Sequence, residues 1–271
     1  MFEMIILGII QGITEFLPVS SSAHLVIGEK IMGLEIPGLY FEVILHLASL
    51  FALIVYFNSE VSDLLKKSIK YMYTKSTIYE QTFRFFKFLL YATIVTGVIG
   101  VCLESILDDQ IKDLTVTGAA LLITGILLIY IENSKKAHFI FLNHDSDLTF
   151  KNCLVIGAFQ GLSIIPGLSR SGMTVIGGLL QGYSKSITLK ISFLLAFPVI
   201  IGSFIYKLPE LILTTNSSIN LSWNQIIISF ITCFLASLVG IKGLIGIVKN
   251  NKLTIFAVYV IVLGIMILIV S

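Results

Sequence analysis

Runs of apolar residues divide this chain into six stretches that are long enough, or nearly so, to cross a bilayer: about 39–57, 86–106, 115–132, 188–206, 224–248 and 252–270. A helix needs about 20 mostly apolar residues for that crossing. Two further apolar regions are broken in the middle by polar residues and proline. Residues 3–32 break at Leu17-Pro18-Val19-Ser20-Ser21, and residues 152–183 at Ile165-Pro166-Gly167-Leu168-Ser169-Arg170. Each half is too short to cross alone. The pattern predicts two re-entrant helical hairpins, a shape tolerated at membrane depth where protein or a wet cavity surrounds the open backbone.

The two broken regions resemble each other. With residue n set beside n+149, Gly8, Gln11, Gly12, Ser20 and Ser22 fall on Gly157, Gln160, Gly161, Ser169 and Ser171. The shared helix–break–helix plan predicts a single membrane domain over 1–271 built from two repeats. Residues 1–133 would hold hairpin 3–32 and three spans, and residues 150–271 hairpin 152–183 and three spans. A hairpin returns the chain to its own side and three spans leave it on the other, so the second repeat must be inverted. The expected fold is an all-α polytopic membrane protein, with six transmembrane helices and two re-entrant hairpins in an inverted-topology repeat. Broken helices meeting at a central site also occur in secondary transporters.

Composition agrees: 56% of residues are hydrophobic and 13% charged, with mean hydropathy +0.97, against about 25% charged in soluble domains. The net charge of +2 gives no nucleic-acid surface, and its distribution says more than its sum. Loops 58–87, 133–151, 184–190 and 249–252 would carry thirteen basic residues on one side, and Lys30, Lys112 and Lys207 the only three on the other. That bias makes the first side cytoplasmic, with both termini and the first hairpin facing outward. No basic segment with a cleavage site opens the chain, so its start is expected to be mature structure. Cys102, Cys153 and Cys233 have no metal-ligand or disulfide spacing and read as small buried hydrophobes.

An ionisable group in a membrane core costs roughly 2.5–3.5 kcal/mol and marks function by default. Glu15, His24, Glu42, His46 and Arg170 all lie in or beside apolar segments. Arg170 stands in PGLSRSGMT at the second break, where a guanidinium fork suits phosphate and the following half-helix offers free N–H groups. Ser169, Ser171 and Thr174 add hydroxyls. The competing reading pairs Arg170 with Glu15 or Glu42 for packing alone. Gln11 and Glu15 are four apart, on one helical face, and their oxygens suit a hard cation, Mg²⁺ or Ca²⁺. Of Ser20, Ser21 and Ser22, one suffices to cap the helix after Pro18. A serine with His24 nearby can supply a nucleophile and an acid/base group. Glu42 and His46 share a face, as a mutually satisfied pair or as support for the site. His138 and His144 fall in a polar loop.

QGITEFLPVSSSAH (Gln11–His24) and PGLSRSGMT (Pro166–Thr174) resemble the two signature regions of the bacitracin-resistance type undecaprenyl-diphosphate phosphatases, and FEVILHLASLFALIVYF (41–57) resembles the family's next span. The resemblance covers essentially the whole chain. It implies catalytic roles for Glu15, Ser21, His24 and Arg170, with Ser21 or His24 as nucleophile. Ser169, Arg170 and Thr174 match the family's phosphate-binding loop; beside it, the residues themselves offer Ser20, Ser22 and Ser171 as further phosphate-binding hydroxyls, Gln11, Glu42 and His46 as support for the site, and Gln11 with Glu15 as holders of the divalent cation. Ala23 replaces the glycine usual before the histidine, which would strain the turn if that position needs positive φ. The implied activity is hydrolysis of a long-chain polyprenyl diphosphate to the monophosphate in the plasma (inner) membrane, recycling the carrier of cell-wall glycan. A second copy of the chain is a candidate partner. The rival is a polyprenyl-phosphate transporter or scramblase on the same hairpins. The Lys…Arg-Pro and His-x-x-x-Asp motifs of the other common membrane phosphatase class are absent from the sequence.

Overall fold

A computed structural model describes residues 1–34, 36, 40–107, 113–134, 149–215, 222–249 and 253–271. The expectations for Lys112, Lys135, Lys136, His138, His144 and Lys252 lie outside the described residues. Those described are helical almost throughout: α1 (Phe2–Thr14), α2 (Ser21–Ile31), α3 (Tyr40–Tyr56), α4 (Asn58–Thr74), α5 (Thr77–Leu107), α6 (Leu114–Asn133), α7 (Phe150–Gly161), a 3₁₀ turn (Leu162–Ile164), α8 (Arg170–Leu180), α9 (Lys185–Thr215), α10 (Trp223–Lys249) and α11 (Thr254–Val270). Segments α5, α6, α9 and α10 are long and apolar enough to cross a membrane. Helices α3 and α11 have 17 residues each, about 25 Å at 1.5 Å per residue. The chain is a multi-pass membrane protein.

Both predicted breaks are present. Helix α1 ends at Glu15 and α2 starts at Ser21; α7 runs into its 3₁₀ turn and α8 starts at Arg170. Three expectations about loops change. Segment 58–87 is helical over most of its length: α4 leaves α3 at 78°, and α5 begins at Thr77, about nine residues before the apolar run that marks it. The apolar criterion misses both because their turns carry charge. Segment 184–190 is the start of α9, and Lys207, expected in a loop, lies within α9. Cys102 is exposed, while Cys153 and Cys233 are buried as expected.

Glycines set the packing. Helix α1 lies along α10, α7 along α5, and α11 along α6. A Cβ on Gly8 would stand 2.6 Å from the Ser229 carbonyl oxygen, and one on Gly12 would stand 2.7 Å from Ala236 Cβ. On Gly157 it would meet the Ala92 carbonyl at 2.6 Å, and on Gly161 Ile99 Cβ at 2.7 Å. Small residues let helix backbones approach closely in lipid, where no hydrophobic force draws helices together. Hydroxyls bond across the same contacts: Thr96 Oγ1 donates to the Gly157 carbonyl (3.0 Å), and Ser237 Oγ to Ser49 Oγ (3.0 Å). At the start of α6, Asp113 accepts from the Val116 and Thr115 N–H groups, which hold its carboxyl below the usual range.

Candidate active site

The chemistry gathers where the two breaks touch. Pro18 cannot continue a helix, and the chain turns through Ser20, whose φ of 66° is unusual for a residue with a side chain. That conformation costs roughly 1–2 kcal/mol. Ser20 Oγ caps α2 and accepts the Gly167 N–H (3.1 Å) from the other break. Gly167 itself has φ 101°, and a Cβ there would stand 2.7 Å from Ala120 Cβ, so a glycine is required. From the second break, Ser169 and Ser171 both donate to the Leu17 carbonyl, at 3.3 and 2.7 Å.

Glu15 is the centre. Its carboxylate is 4% exposed and joins four helices. Oε1 accepts from Arg170 Nη2 at 2.6 Å; Oε2 accepts from Gln11 Nε2 and Ser21 Oγ at 2.7 Å each, and His46 Nε2 lies 3.4 Å away. The cavity beside it has a volume of about 490 Å³, and its wall includes Glu15, Ser20, Ser21, Ser22, Ser169 and Arg170. Glu42 and His46 also line it, His46 being held through Nδ1 by the Glu42 carbonyl (2.7 Å). The Arg170–Glu15 pair, raised above as a packing contact, therefore forms at the cavity wall.

Four residues stand back from that wall. Gln11 is buried behind Glu15. Ser171 braces Leu17, and Thr174 bonds the Arg170 carbonyl (2.8 Å) and Gln160 (3.2 Å). His24 turns away: Nδ1 engages the Ser20 carbonyl (2.7 Å), Nε2 meets Tyr259 Oη (2.7 Å), and the two rings stack. Ala23 sits in ordinary helix, fully buried; the positive φ belongs to Ser20, so alanine does not strain this turn.

A carboxylate, a serine and an arginine thus converge from the two broken regions. The family described as "Bacitracin resistance protein BacA" matches residues 4–266. The chain belongs to this family. Undecaprenyl-diphosphatase 2 of Halalkalibacterium halodurans is 39% identical over 264 residues, 97% of this chain and 93% of its own length. Undecaprenyl-diphosphatase 1 of Shouchella clausii is 35% identical over 273 residues, covering 99% and 96%. The undecaprenyl-diphosphatase of Oceanobacillus iheyensis is 33% identical over 266 residues, covering 97% and 94%.

In this BacA-family chain the cavity also takes in residues that sequence reasoning passed over. Gln160, which the n+149 alignment sets beside Gln11, is 1% exposed and lines the wall. So do Glu104 of α5 and Lys207 of α9, which form an ion pair. The available signal was two opposite charges at the ends of separate apolar runs. For a divalent cation, no group of three or more His, Cys, Asp or Glu gathers among the described residues. Gln11 Oε1, however, is buried without a hydrogen-bond partner, in the same side chain whose Nε2 donates to the Glu15 carboxylate. Two such oxygens fit a hard cation that takes its other ligands from substrate phosphate and water, the usual Mg²⁺ arrangement.

Proposed function

We propose that this chain, like the relatives named undecaprenyl-diphosphatase, hydrolyses undecaprenyl diphosphate to the monophosphate and inorganic phosphate, and that it thereby recycles the lipid carrier of cell-wall glycan synthesis. The observation that carries the reading is Glu15, bonded at once to Ser21 from the first break and Arg170 from the second. Arg170 holds the terminal phosphate through its planar fork of donors, with Ser20, Ser22 and Ser169 beside it. Ser21 Oγ attacks the terminal phosphorus and gives its proton to Glu15. The bond from phosphorus to the bridging oxygen breaks, and undecaprenyl monophosphate leaves with that electron pair. Water then displaces Ser21 from phosphorus while Glu15 returns the proton to the departing Oγ. His46 keeps Glu15 oriented. Ser21 is preferred to His24 as nucleophile because both ring nitrogens of His24 are engaged away from the cavity. Gln11 and Glu15 would hold Mg²⁺ or Ca²⁺, which when bound neutralises phosphate charge.

The same reading has the protein in the plasma membrane as an inverted repeat, with the Ser21 hairpin opening outward. Support comes from the thirteen-to-three distribution of basic residues. It comes also from crossed packing: the first arm of each broken region lies on a long helix of the other half, α1 on α10 and α7 on α5.

Phosphate release from C55 polyprenyl diphosphate by purified protein tests the assignment, measured with Mg²⁺, with Ca²⁺ and with EDTA. Glu15→Gln, Ser21→Ala and Arg170→Ala should each lower the rate by about 10²–10⁴-fold, the scale of acid–base and electrostatic contributions; melting should be unchanged for Ser21→Ala and lowered for the other two, which break the buried Glu15–Arg170 pair. A folded wild type that binds the lipid and releases nothing would overturn hydrolysis in favour of transport.

A further inference from the structure

Helix α4 has a surface for which the phosphatase reaction has no use. It carries Glu60, Asp63, Lys66, Lys67 and Lys70 in 17 residues, too many charges for a membrane crossing. Connectivity nevertheless fixes it at the membrane. Apolar α3 delivers the chain to α4, which turns off at 78°, and α5 takes the chain back after Lys75, whose φ of 54° makes the second corner. A segment tied at both ends to apolar helices and turned nearly across the one that delivers it runs along the bilayer surface.

Its faces are differentiated. Val61 and Leu64 pack on the core, Ser68 is buried, and the Tyr71 ring stacks on Phe83 of α5 at 4.7 Å. Beside that inner face, Leu65, Ile69, Met72 and Tyr73 are exposed, the last at 86%. Their spacing of i, i+4, i+7 and i+8 puts them on one stripe. Lys66 and Lys70 share the next stripe. Carboxylates already occupy Lys67 (Asp63, 2.7 Å) and Arg84 (Glu80, 2.6 Å). Lys70 and Lys75 rest over the rings of Tyr79 and Tyr71, contacts that leave their charge unneutralised.

We infer that α4 is a docking surface for anionic phospholipid headgroups: its Leu65–Tyr73 stripe sinks into the headgroup–acyl boundary, and Lys66, Lys70 and Lys75 bind lipid phosphates above it. An apolar stripe edged with lysines is the chemistry of helices that lie in the membrane interface. The occupant is lipid rather than a soluble protein because the flanking spans hold the stripe at bilayer level, and it is anionic because of the lysines. Helices α3 and α5, which α4 joins, carry Glu42, His46, Thr96 and Glu104 of the cavity wall, so this docking also fixes the angle between two walls of the site.

The test is hydrogen exchange of residues 58–74 in the full-length protein, held in nanodiscs of zwitterionic lipid alone or of zwitterionic lipid with about one third anionic lipid. Anionic lipid should slow exchange across α4, by up to about fivefold for each lysine engaged, and added salt should reverse the slowing. The combined variant Lys66→Gln, Lys70→Gln, Lys75→Gln should lose the response to anionic lipid but keep the protection seen in zwitterionic lipid. Ile69→Ser with Met72→Ser should lose both. Exchange in α10, which α4 does not pack against, reports whether each variant is folded. Equal exchange of wild-type α4 in the two nanodiscs would overturn headgroup recognition. Unprotected α4 in both would remove the helix from the membrane altogether and point to a soluble partner.

Discussion

Ser20 shows how one residue ties backbone strain to chemistry. Its φ of 66° costs roughly 1–2 kcal/mol, while its hydroxyl satisfies the buried Gly167 N–H, whose loss costs about 1–3 kcal/mol. Ser20→Gly relieves the first and forfeits the second; Ser20→Ala keeps the strain and loses the bond. Thermal melts should therefore rank wild type above Ser20→Gly, and Ser20→Gly above Ser20→Ala. An alanine variant as stable as the glycine one would refute this account. His24 holds the same residue through the Ser20 carbonyl, and the proposed reaction gives it a positioning role. His24→Ala should slow phosphate release, and His24→Asn should restore most of it, because an asparagine can reach the carbonyl four residues back, as Asn133 does to Ile129 at 3.1 Å. An asparagine variant as slow as alanine, or a change in the pH profile, would return His24 to the chemistry. The sequence makes Glu15 and Arg170 legible because an ionisable group is costly in an apolar segment and both lie at or beside a break, whereas Ser21 is singled out from Ser20 and Ser22 only by the family resemblance. The direction His24 faces is set by Tyr259, 235 residues away, and no local pattern contains it.

Among the helices, the repeat identities have a physical meaning that spacing alone does not supply. Gly8 and Gly157, and Gly12 and Gly161, are the points where α1 meets α10 and α7 meets α5. Gly12→Ala would press a methyl against Ala236 and the α10 backbone, three residues before Glu15. It should cost roughly 1–3 kcal/mol as overpacking does and lower the rate of phosphate release in the same protein. Gly246→Ala in α10, where a Cβ meets nothing within 4 Å, should leave both unchanged. Equal effects would mean that close approach is not what those glycines serve. Helix existence was readable wherever an apolar run was long. Helix α4 and the first turns of α5 were not, because amphipathic helices at a surface carry the polar composition of loops.

Over the whole molecule, the charge distribution and the broken helices suffice to read an all-helical membrane protein, and the pairing of the two breaks follows from their similarity. What escapes the sequence is contact between distant segments: the Glu104–Lys207 pair on the cavity wall, and the hydroxyls that bridge helices. Orientation is open to direct measurement. Ser22→Cys, on a chain whose exposed Cys102 is changed to Ser, should react with an impermeant thiol reagent added outside intact cells; labelling only after the inner face is opened would reverse the topology. The crossed packing also governs the order in which the protein can be made. As the chain emerges from the ribosome, α1 is among the first segments to enter the bilayer, yet the helix that accepts its glycine face begins at Trp223. Through most of synthesis the Glu15 carboxylate waits without Arg170, and Gly8 and Gly12 wait without a neighbour. A nascent chain stalled before Arg170 is thus an orphan with an unmet charge in lipid, and one stalled between Arg170 and α10 has an uncovered glycine face; both are the kind of species that membrane quality-control proteases remove.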